Sequence, residues 1–175
     1  MPLAKSEDCL ALPTDLAVLE LTHRSIEDME TMSNQTLRII DANLNRIGEG
    51  LRVLEDIARL LLDDADLSQQ IKDMRHEMVK VDVSLEQQFL QARNSEGDVG
   101  VNLEASGEEK YKEIPATVVA NARRVQEALR VMEELAKNPG VPLESDKFKR
   151  ARFNLYTIEK ELFAKLMRRG KAQSE

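Results

Sequence analysis

The eighteen residues Ala42–Arg59 return as residues 120–137, and no feature of the chain constrains its fold more. At an offset of 78, nine of the eighteen positions are identical, where composition predicts about one. The pairs are Ala42/Ala120, Asn43/Asn121, Arg46/Arg124, Glu49/Glu127, Leu51/Leu129, Arg52/Arg130, Val53/Val131, Glu55/Glu133 and Ala58/Ala136. Farther along, Arg75 and Asp82 correspond to Arg152 and Glu159 at an offset of 77. A unit longer than one helix is therefore used twice.

Each copy has the period of a helix packed along one seam. Ile40, Leu44, Ile47, Leu51, Leu54, Ala58 and Leu61 recur in steps of four and three, and Val118, Ala122, Val125, Leu129, Met132 and Ala136 do the same. Asp63-Asp64 ends the first helix, and Asp66 with Gln69 starts a second that runs to about Arg93. Pro115 suits the first turn of the third, which Asn138-Pro139-Gly140 ends. Ser145 is positioned to cap a fourth, carrying Phe148, Leu155, Ile158, Leu162, Phe163 and Leu166 as far as Gly170. The expectation is an all-α domain over residues 33–175: two duplicated hairpins, about 37–93 and 114–169, forming a pseudo-two-fold helical bundle with a long loop between the repeats.

Composition agrees. With 3% aromatic residues, no Trp, 7 Gly and 5 Pro, a turn-rich β-sandwich is disfavoured, and 42% apolar content argues against disorder. The net charge of −7 gives no general attraction to nucleic acid or to an anionic membrane. The single cysteine, Cys9, has no partner for a disulfide, and no apolar run approaches the roughly 20 residues that span a bilayer. A reducing cytoplasm is the expected location. Residues 1–32 read as an N-terminal extension, helical or loosely packed, in which Met29 and Met32 offer later starts.

A seam accounts for repeated Leu and Val but not for repeated Asn, Arg and Glu. At 100° per residue, Asn43 and Glu55 fall about 60° to either side of the apolar centre, Arg52 about 120° and Glu49 about 180° from it. Polar identity thus nearly encircles the helix, and something should meet its back: a second subunit, the long loop or an anionic ligand. The arginines Arg46, Arg52, Arg124 and Arg130 suit carboxylate or phosphate. Ordinary i,i+3 and i,i+4 ion pairs, Glu49 with Arg52 and Arg52 with Asp56, are the alternative use of the same residues.

Phosphate-binding glycine loops, dinucleotide fingerprints and paired His or Cys metal spacings are absent from the sequence. His23 lies in the extension, and His76, next to Arg75, reads as a solvent-facing or interhelical side chain. Between the repeats, Glu96-Gly97-Asp98-Val99-Gly100 sets two carboxylates among glycines, which suits either a solvated turn or a magnesium ion carrying phosphates.

The segments Arg38–Arg46, Glu49–Asp56, Arg75-His76, Gly97–Gly100 and Ala120–Glu134 resemble the helical domain at the N-terminus of some bacterial thiamin phosphate synthases. That resemblance covers about residues 37–168, and it is to a family assigned as monofunctional hydroxymethylpyrimidine-phosphate kinases of thiamin biosynthesis. It implies ATP- and Mg2+-dependent phosphorylation of hydroxymethylpyrimidine phosphate to the diphosphate. It implies no thiamin phosphate synthase activity, since the barrel domain is lacking. Arg52, Arg130, Glu49 and Glu127 are then the expected catalytic residues. Asn43, Arg46, Asn121, Arg124 and Arg75 would bind substrate phosphates, and Asp98 the metal. Asn94 stands where relatives are expected to have Asp. The competing reading is a non-catalytic helical module that binds a thiamin intermediate or partners a separate thiamin phosphate synthase. A homodimer is compatible with either.

Overall fold

Helix α1 (Asn34–Asp56) starts where Ser33 accepts a hydrogen bond from the Thr36 N–H at 3.1 Å. The computed structural model describes residues 32–100 and 113–172; the extension expected over residues 1–32, with Cys9 and His23, lies outside them except for Met32. After α1 a π-helical turn (Ile57–Leu61) leads to α2 (Ala65–Val79) and α3 (Val83–Ala92), and farther on stand α4 (Ile114–Leu135) and α5 (Ser145–Ala172). The described residues are thus all-helical, without a strand. No described helix is long and apolar enough to cross a membrane.

The seams read from the period are the core, except that Phe163 is exposed and Leu61 and Ala136 are only partly buried. Ile40, Ile47, Leu51 and Leu54 of α1 meet Val118, Val125, Leu129 and Met132 of α4, while Ile71, Phe148, Leu155 and Leu162 close the core from α2 and α5. Helices α1 and α4 lie side by side, α2 and α3 cover α1, α5 covers α4, and α2 touches α5. Gly50 sets the closeness of the central pair: a Cβ there would lie 2.4 Å from Val125 Cγ2 and 3.3 Å from the Asn121 carbonyl. Val125 is fully buried and stiff at χ1, so this crossing requires glycine.

Four boundaries differ from those expected. The second helix does not run unbroken to Arg93. Lys80 is extended, and Asp82 restarts the chain as α3 by accepting from the Leu85 N–H at 2.9 Å. Asp64, not Asp66, caps α2, its carboxylate 3.0 Å from the Leu67 N–H. Ser145 is the first residue of α5, and its hydroxyl donates to the Glu133 carbonyl at 3.0 Å instead of capping its own helix. Finally, α5 continues through Gly170 to Ala172, because an exposed glycine near a helix end costs only about 1 kcal/mol.

Candidate functional site

The repeated polar residues form two matching sets of contacts. In α1 the buried Asn43 donates through Nδ2 to the Ile39 carbonyl at 2.8 Å, and in α4 Asn121 donates to the Thr117 carbonyl at 2.9 Å. Glu55, 4% exposed, accepts from Arg75 Nε of α2 at 2.9 Å and from Arg52 Nη1 at 3.4 Å. Glu133, also 4% exposed, accepts from Arg152 Nη2 of α5 at 2.8 Å and from Arg130 Nη1 at 3.0 Å. Each hairpin is therefore fastened by a buried carboxylate between two guanidiniums. The bond from Arg152 holds the Glu133 carboxyl below its ordinary value of 4.5, against the opposing effect of burial, and raises the Arg152 pKa in turn. Arg152 also stacks over Phe153, with 5.1 Å from guanidinium carbon to ring centroid, and its Nε is buried without a hydrogen-bond partner.

Of the residues expected to act together, the structure gathers Arg52 with Arg75, through Glu55, and places Arg130 in the equivalent cluster. Arg46, Glu49, Arg124 and Glu127 stand apart on the exposed faces of α1 and α4, where Arg46 donates to Asn43 Oδ1 at 3.4 Å. Asp98 lies in the exposed loop, 3.8 Å from Arg38, and accepts from the Gly100 N–H at 2.9 Å. Asn94 accepts from the Gly97 N–H at 3.0 Å, so its amide oxygen closes the turn. The loop's start is fixed to α1 by Arg93, whose Nε and Nη2 reach Asp41 at 2.6 and 2.8 Å. Among the described residues no three His, Cys, Asp or Glu side chains gather to hold a metal.

A polar cavity adjoins the first cluster, at a place the period did not mark. The π turn widens the end of α1, with Leu62 N–H bonding the Ile57 carbonyl and Asp64 N–H the Ala58 carbonyl. Asp63 between them has φ 52°, a left-handed conformation that glycine usually supplies at a helix end. A π turn followed by a left-handed Asp is costly local geometry, and such geometry concentrates at functional sites. The cavity between this turn and α2 has a volume of about 440 Å³. Glu55 lines it, with Arg59, Asp63, Ser68, Gln69 and Lys72. Arg59 is bonded to Asp56 at 3.3 Å, and Lys72 makes no ion pair among the described residues. Asp64 is held by Lys165 of α5, which lowers the Asp64 pKa and raises that of the lysine. The cavity offers two cationic side chains, neutral hydrogen-bonding groups and three carboxylates, of which Glu55 is held by Arg75 and Asp64 by Lys165. The broken period at Asp63-Asp64 was the one signal of it in the sequence.

The family model described as the ThiD2 family matches residues 38–161. A thiamine-phosphate synthase of Rhodopirellula baltica is 38% identical over 109 residues, covering 60% of this chain and 28% of that protein. One of Nostoc punctiforme is 36% identical over 135 residues, 76% of this chain and 37% of the relative. One of Synechococcus sp. (strain WH7803) is 44% identical over 101 residues, 58% and 28% respectively. The chain spans about a third of the length of these curated relatives, and no solved structure matches it. These names correct the enzymatic expectation: they are those of a synthase, not of a hydroxymethylpyrimidine-phosphate kinase, and the chain is not to be set apart from synthases as that expectation did. What stands is the tie to thiamin biosynthesis. With the match running from the first turns of α1 to the middle of α5, through both buried carboxylate clusters, the chain belongs to the ThiD2 family.

Proposed function

We propose that the chain is a non-catalytic helical module of thiamin biosynthesis that serves thiamine-phosphate synthase by binding a phosphorylated thiamin intermediate in the cavity beside the π turn. The observation that carries this reading is the coincidence of region: the segment shared with relatives named thiamine-phosphate synthase contains every residue lining that cavity. Its volume falls within the range of small-molecule sites. Arg59 and Lys72 offer cationic partners to a phosphate, while Glu55, Ser68 and Gln69 offer acceptors and donors to an amino-heterocycle. A lining of mixed sign suits a ligand that carries both.

Calorimetric titration of the chain with thiamine phosphate, hydroxymethylpyrimidine phosphate and the thiazole phosphate tests the reading, with a thiamine-phosphate synthase assayed in the presence and absence of the chain. The expected result is saturable binding of at least one compound, weakened about tenfold or more by R59A with K72A. No binding of any of the three and no effect on the synthase would overturn it. Conversion of any of them by the chain alone would overturn its non-catalytic part.

A further inference from the structure

The outward face shared by α1 and α4 is matched to itself. Gly50 lies against Asn121 and Val125, and farther along Val53, Ile57 and Leu60 wall a groove with Ile114 and Thr117. The two helices are therefore antiparallel. In that register Arg46 stands level with Glu127 and Glu49 with Arg124, so the centre of the face is a square of alternating charges. Glu49, Arg124 and Glu127 make no ion pair among the described residues, and all four side chains are exposed. Above and below the square, Val53 is level with Ala120 and Ala42 with Val131, so a large residue sits beside a small one at each end. Beyond these are exposed apolar side chains, Leu60 at 68%, Ile114 at 45% and Ile39 at 45%.

We propose that this face binds a second copy of the chain. A copy turned by 180° about an axis parallel to α1 lays its α1 over α4 of the first. That rotation puts the copy's Arg46 over Glu127, its Glu49 over Arg124, its Val53 over Ala120 and its Ala42 over Val131, and the reverse contacts follow by symmetry. Apolar ends fall on apolar ends. From Ile39 to Leu60 the face is about 30 Å long and two helices, about 20 Å, wide, about 600 Å² in plan, which approaches the roughly 800 Å² per partner of a standard stable interface. The match in charge selects a like partner over others, because rotations about the diagonals of the square set like charges together, and only two-fold axes along or across the helices pair every charge with its opposite.

Sedimentation velocity of the full 175-residue chain at about 50 μM tests this. The expected species has twice the 19.8 kDa chain mass, with a dissociation constant that rises at least about tenfold between 0.05 and 0.5 M NaCl. R46E with R124E is expected to weaken association at least about tenfold, and R46E, E49R, R124E and E127R together to restore it, with far-UV circular dichroism showing unchanged helix content. A monomeric wild-type chain at 50 μM overturns the proposal, whatever else covers the face. So does a dimer indifferent to both salt and R46E with R124E, or one that the fourfold exchange fails to restore.

Discussion

At Glu55 and Glu133, the repeated charges do their work inside the protein. A carboxylate removed from water costs several kcal/mol unless both its oxygens are engaged, and here each is engaged by two guanidiniums. Arg75→Ala leaves Glu55 with only the more exposed Arg52, and is expected to lower the unfolding free energy by about 3 kcal/mol in urea titrations. The dependence on pH follows from Glu133. Its folded pKa lies below the unfolded value of 4.5, so its stabilisation is complete above pH 4.5 and is lost as the pH falls through the folded value. Glu133→Gln should lower the melting temperature at pH 7 and make it fall less steeply below pH 4.5; equal slopes for variant and wild type would rule this origin out. The identity of these residues was legible in the repeat, but their partners were not. The pairs that the spacing offered, Glu49 with Arg52 and Arg52 with Asp56, do not form; Arg52 turns to Glu55 instead, whose stronger bond comes from Arg75, twenty positions away, and only the packing of α2 on α1 brings it there.

Among the elements, long seams were readable and junctions were not. Apolar positions in steps of three and four mark α1, α4 and α5, because burial imposes a period that few other causes produce. The break at Lys80–Asp82 has no such mark, since Val81 and Val83 continue the apolar content across it and only the cap at Asp82 decides. The π turn left no mark of its own in the sequence, and the cavity beside it only the break at Asp63-Asp64. Asp63 carries the local cost: Asp63→Gly removes the left-handed strain and is expected to stabilise the chain by about 1 kcal/mol in denaturant. If stability drops instead, the Asp63 side chain makes a contribution greater than its strain.

Across the whole molecule, the central crossing of α1 and α4 decides how tightly the two hairpins meet. Gly50→Ala places a methyl group into the fully buried Val125 and is expected to cost about 1–3 kcal/mol, with a lower urea midpoint and little change in helix content. Unchanged stability would mean that the hairpins slide apart at little cost. The two fastenings also bear on how the chain finds its fold. Glu55 and Glu133 each accept an arginine of the same kind at the same level of a long helix, so charge alone does not tell α2 from α5 as a partner for α1. A refolding chain therefore meets a decoy of its own making, in which the hairpins trade second helices. Rejection of that decoy falls to shape: Met74 and Met78 of α2 against Phe148 and Leu155 of α5 are not interchangeable volumes, and the apolar seam, not the salt bridge, acts as proofreader.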